Sequence, residues 1–118
     1  MMVIKRDGSR QAFDSDRIRL GIEAACAKRP VPAAEIQAIV DEVEEALFRE
    51  FDREIPSKRI GQTIMDRLRK LDQVAYVRFA SVYKEFKDLD DLIEEVKDTK
   101  RKADADIPGQ ADLFTQPQ

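Results

Sequence analysis

At 118 residues, with ordinary apolar content, the chain has room for one domain, or one domain and a tail. Its net charge of −3 is uneven: residues 1–30 carry seven Lys/Arg against four Asp/Glu, and residues 31–118 carry fourteen against twenty, which argues against non-specific nucleic-acid binding by the whole chain. A single cysteine, Cys26, and no histidine exclude a disulfide framework, a zinc site of the usual type and the commonest acid–base and nucleophilic schemes.

Residues 2–13 read as a β-hairpin, Met2–Arg6 and Arg10–Phe13, turned at Asp7-Gly8, where both positions tolerate positive φ. The turn gathers Lys5, Arg6 and Arg10 beside exposed backbone amides, an arrangement suited to a polyphosphate. Asp14 or Ser15 caps a helix running to about Arg29, with Ile18, Ile22, Ala25 and Cys26 on one face and Pro30 as its stop. Cys26 reads as a small core residue and fits a reducing, cytoplasmic setting. No stretch has the character of a signal peptide or a membrane span.

A second helix covers 33–51, with Ile36, Val40, Val43 and Leu47 inward and Asp41, Glu42, Glu44 and Glu45 in solvent. Glu54-Ile55-Pro56 is an extended link, suited to a third strand beside the hairpin. Ser57 is placed to N-cap a third helix with Ile60, Ile64, Leu68 and Leu71 facing inward, and Asp72 to cap a fourth over 73–87. The fourth helix is apolar nearly all round, which suits the middle of a bundle or a contact with a partner. Its Tyr76, Phe79 and Tyr83 read as core. A fifth helix, 89–101, has a narrow stripe of Leu89, Leu92, Ile93 and Val96. Residues 102–118, rich in Asp, Gly, Pro and Gln, read as a disordered tail. The expected fold is α+β: the hairpin, or a small three-stranded sheet, packed on a four- to five-helix bundle spanning 1–101.

Val3-Ile-Lys-Arg-Asp-Gly-Ser-Arg, Phe13-Asp14 and Asp16-Arg17-Ile18 resemble the opening of an ATP-cone, the small regulatory nucleotide-binding domain of ribonucleotide reductases. Lys28-Arg29-Pro30-Val31, Ile55-Pro56-Ser57 and the run Leu71–Tyr83 resemble more specifically the ATP-cone of the NrdR-type transcriptional repressors, over roughly residues 2–90. The resemblance implies binding of ATP or dATP, with Mg2+ as an optional companion, between hairpin and helices. Lys5 and Arg6 would neutralise phosphate, and Gly8 would let backbone amides approach it. Val3 would pack on adenine. Arg10, Arg17 and, more weakly, Lys84 are further phosphate candidates, and Ser57 could offer its hydroxyl to base or ribose. For each cation the competing reading is an exposed surface charge.

No Walker-type glycine loop or paired metal carboxylates are visible, so binding without turnover is expected. Catalytic residues and metal ligands are assigned to none. ATP and dATP would favour different homo-oligomers through the fourth and fifth helices. Repressors of this type begin with a zinc ribbon carrying four cysteines, so DNA contact is expected only if the full-length protein has one. An excised reductase cone and a stand-alone adaptor are the alternatives. In the tail, Gln110-Ala111-Asp112-Leu113-Phe114 is similar to the short peptide with which bacterial proteins bind the DNA polymerase sliding clamp, through Gln110, Leu113 and Phe114.

Overall fold

A computed structural model describes residues 1–84 and 89–105. Strand β1, Met2–Ile4, pairs antiparallel with β2, Arg10–Ala12, with Val3 opposite Gln11. Strand β3, Glu54–Pro56, adds to the other edge of β1 in parallel, giving the order β2-β1-β3. The link at 54–56 is therefore a strand. Facing partners share one side of a sheet, so Val3, Gln11 and Ile55 look the same way. Ile55 is wholly buried, which makes that side the inner one. Met2 and Glu54 lie on the outer side. Both hairpin strands are shorter than predicted, because the Lys5–Ser9 loop starts immediately after Ile4.

Helix α1, Ser15–Ala25, is N-capped by Asp14, whose carboxylate accepts from the Asp16 N–H at 2.9 Å. It ends at Ala25 rather than near Arg29. The stop is tertiary: the Arg78 guanidinium donates to the Ala27 carbonyl at 2.7 Å and the Ala25 carbonyl at 3.3 Å, and Lys28 turns left-handed at φ 61°. Helix α2, Ala33–Glu50, buries Ile36, Ile39, Val40, Val43 and Leu47 at helical spacing. Helix α3, Ser57–Leu71, buries Ile64, Met65 and Leu68.

Helix α4, Gln73–Tyr83, is N-capped by Asp72, which accepts from the Ala75 N–H at 2.9 Å and also pairs with Arg29 at 3.0 Å. One carboxylate thus joins the turn after α1 to the start of α4. Helix α4 ends at Tyr83, short of the predicted residue 87; residues 85–87 lie outside the described residues. Helix α5, Leu89–Ala105, runs four residues past its predicted end, where Asp98 pairs with Arg101 and Lys102 one turn on. The tail motif at Gln110, Leu113 and Phe114 lies outside the described residues.

The architecture is α+β. Helix α4 packs against α1, α3 and α5, which explains its apolar composition. Tyr76 is buried, as expected of a core residue, whereas Phe79 and Tyr83 are only partly buried. Cys26 is buried, and burial pushes its thiol pKa up. No helix among the described residues is long and apolar enough to cross a membrane.

Candidate nucleotide site

The hairpin loop closes with the Gly8 N–H donating to the Lys5 carbonyl and the Lys5 N–H to the Ser9 carbonyl, each at 2.9 Å. The central turn residues are therefore Arg6 and Asp7, one step earlier than predicted. Within this loop Gly8 alone is left-handed, at φ +85°. Asp7 stays right of that region because its carboxylate accepts the Ser9 N–H at 2.9 Å, a local bond that replaces the expected Asp-Gly turn. The Ser9 hydrogen bonds, with Lys5 as a smaller influence, hold the Asp7 carboxyl below its usual pKa. A Cβ on Gly8 would touch nothing, so its role is conformational.

The three loop cations part company. Lys5 and Arg6 are exposed, and no ion pair among the described residues engages them. Arg10 instead reaches across β1 to Glu54 at 2.8 Å. Val3 is half-buried on the inner side of the sheet.

Parallel pairing of β1 with β3 sets Ile4 opposite Pro56. The chain therefore leaves the sheet into Lys5 and into Ser57 at the same end. Pro56, not Ser57, occupies the N-cap of α3, and no side chain caps that terminus. The extended backbone of Pro56 (φ −62°, ψ 132°) takes the cap position, and Ser57 is already helical. The first-turn amides of α3 lack a side-chain acceptor beside the loop cations, a combination that favours an anion.

Helix α4 brings its C-terminal end to the same place. The Tyr83 hydroxyl donates to the Lys58 carbonyl at 2.8 Å, and the ring lies on Gly61, where an added Cβ would come within 2.3 Å. Neither Gly61 nor this use of Tyr83 was visible in the sequence, since both depend on α3–α4 packing. Lys84 follows at the C-cap, with its ammonium on Glu95 of α5. Between α1 and α4 runs an apolar groove of about 360 Å³ lined by Gly21, Ala25, Phe79, Val82 and Tyr83. Arg17 is exposed one turn before Gly21, on the same face of α1.

The structure thus gathers Lys5, Arg6, Gly8 and Ser57 at one end of the sheet. Arg10 and Lys84 are turned to internal carboxylates.

The ATP cone domain family matches residues 1–89. The chain is 54% identical over 97 residues to the transcriptional repressor NrdR of Syntrophotalea carbinolica, covering 82% of this chain and 62% of that protein. It is 50% identical over 97 residues to the NrdR of Clostridioides difficile, covering 82% and 63%. Against the NrdR of Halalkalibacterium halodurans it is 48% identical over 104 residues, covering 88% and 68%. The chain spans about two thirds of the length of these relatives. With its mixed three-stranded sheet and helical bundle, the chain belongs to the ATP-cone family and is homologous to the NrdR transcriptional repressors.

Proposed function

We propose that this chain is the adenine-nucleotide-sensing part of an NrdR-like repressor of ribonucleotide reductase genes. The observation that carries the reading is the common exit of Lys5 and Ser57 from paired strands, which sets loop cations with no ion pair among the described residues beside a helix N-terminus without a side-chain cap. Lys5 and Arg6 neutralise the phosphates of ATP or dATP, with or without Mg2+. Gly8 and the first turn of α3 offer backbone amides. Val3 packs against adenine from the inner side of the sheet. Ser57 offers a hydroxyl to base or ribose, and Arg17 closes the α1 side. Arg10 and Lys84 join only by leaving Glu54 and Glu95. Binding proceeds without hydrolysis, as suits a regulator. DNA recognition belongs to this protein only if its full-length form carries a zinc ribbon, since this chain has one buried cysteine and no histidine.

The signal leaves the cone as a change of assembly in the cytoplasm. Val74 and Val82 of α4 are 40% and 80% exposed, and Ile93 and Val96 of α5 are 40% and 39% exposed. That apolar surface suits contact with a second copy. A separate contact, of Gln110, Leu113 and Phe114 with a sliding clamp, is tested by whether clamp binding survives loss of residues 106–118.

Calorimetric titration with ATP, dATP and GTP, with mass followed by light scattering, tests the function. The adenine nucleotides should bind and shift the mass. Absence of adenine-nucleotide binding overturns the sensor, and binding at constant mass overturns the assembly step alone.

A further inference from the structure

We propose that the chain's own segment Asp112-Leu113-Phe114 docks back into the groove between α4 and α5. The docking does not depend on the nucleotide site.

The groove measures about 250 Å³ and is lined by Val74, Val77 and Arg78 of α4 and by Val96, Thr99 and Lys100 of α5. Sites that enclose drug-sized molecules are larger, about 300–1,000 Å³, so peptide side chains are the fitting occupant. The floor is apolar: Val77 is partly buried, and Val74 and Val96 stay about two-fifths exposed. The rim is cationic. Lys100 is exposed, and no ion pair among the described residues engages it. Arg78 donates to the Ala25 and Ala27 carbonyls, which leaves its charge without a carboxylate among the described residues. The α5 carboxylates Glu95 and Asp98 already meet cations, Lys84 for the first and Arg101 with Lys102 for the second. An apolar floor beside two uncompensated cations calls for an acidic segment with large apolar side chains.

The chain carries such a segment. Residues 103–118 hold three Asp and no Lys or Arg, and beyond Pro108 their large apolar side chains are Leu113 and Phe114 alone. Asp112 stands directly before that pair. Pro108-Gly109 is the pairing of a reverse turn: proline pre-sets the first central position, and glycine supplies positive φ at the second. The distances agree. At about 1.5 Å per residue, Val96 lies roughly 14 Å back along α5 from Ala105. At about 3.3 Å per residue, residues 106–114 can span roughly 30 Å, enough for the turn and the return. Tethering also favours this segment over one from a second copy, since a short linker gives an effective concentration on the order of millimolar.

Docking has a consequence for assembly, and this part alone rests on the function proposed above. It covers Val74 and Val96, which that reading gives to a second copy, so the segment restrains self-association.

A nitroxide on Thr115→Cys tests the docking in the full chain, because burial of Cys26 leaves the new thiol as the reactive one. Amide NMR should show paramagnetic broadening at Val74 and Val77 of α4. Leu113→Ala with Phe114→Ala in the same chain should abolish it. Broadening that survives this double substitution reflects proximity alone and overturns the docking, as does an absence of broadening on α4. Mixing spin-labelled chain with isotope-labelled chain that carries no nitroxide separates the two sources of the segment. Equal broadening in that mixture means that the segment reaches a second copy, which overturns the intramolecular assignment. Charge gives a further arm: Lys100→Glu should weaken the broadening, and Asp112→Lys added to it should restore it. Equal broadening in all three chains overturns the charge match. Light scattering reads the consequence. The chain with Leu113→Ala and Phe114→Ala should assemble at a severalfold lower concentration than wild type, and equal concentrations overturn the restraint.

Discussion

Lys5 is where the chemistry of the site is most concentrated. It is exposed, unpaired among the described residues and set at the common exit of β1 and β3. Lys5→Ala should weaken ATP binding by roughly 1.5–3 kcal/mol, the size of a hydrogen bond to a charged group, with no change in thermal midpoint. Unchanged affinity by calorimetry would return Lys5 to the surface. Arg10→Ala should matter less, because its guanidinium already lies on Glu54. Adjacent cations that look alike in sequence are separated by their partners.

Among the elements, α3 and α4 are joined by a close approach at Gly61. Gly61→Ala gains about 1 kcal/mol of helix propensity. It also drives a methyl into the Tyr83 ring, which must then give up its bond to the Lys58 carbonyl. A net loss of about 1–3 kcal/mol is expected from urea unfolding, as for an overpacked core. Tyr83→Ala should remove most of that penalty, and a penalty unchanged by Tyr83→Ala would contradict the contact. The α4–α5 contact carries a second signature. Burial first, and then the Glu95 carboxylate, push the Tyr76 phenol up to about 12. The folded chain holds that proton more tightly than the unfolded one, whose phenol titrates near its ordinary value of 10. Its contribution to stability is therefore complete below about pH 10 and is lost as pH rises toward 12. Wild type should lose more stability than Tyr76→Phe between those limits. Equal losses would show that Tyr76 is not held in this way.

The elements also show what a one-dimensional pattern can carry. The five helices and the hairpin follow from apolar spacing and local caps such as Asp14 and Asp72. The end of α1 was misplaced because Arg78, far along the chain, supplies the stop. Ser57 was misread as a cap because Pro56 can occupy that position without a hydroxyl. The cations of the site were legible by type. Their sorting into open Lys5 and Arg6 and engaged Arg10 and Lys84 was not, since it depends on Glu54 and Glu95 arriving from distant elements.

At the scale of the molecule, a small sheet sets one end of a helical bundle, and the nucleotide site is assigned to that end. Helix α4 runs from the Asp72–Arg29 junction to that end, touching α1, α3 and α5 on the way. In the function proposed above, a ligand at that end would act beside α4, whose Val74 and Val82 stay exposed. The central claim is the location of the nucleotide. The most direct measurement is an amide NMR titration of the chain with ATP. The largest shifts should fall on Gly8, Ser57 and Lys58, with the acidic face of α2 at Asp41, Glu42 and Glu45 unmoved. Shifts centred elsewhere, with Gly8 and Ser57 silent at saturation, would contradict it.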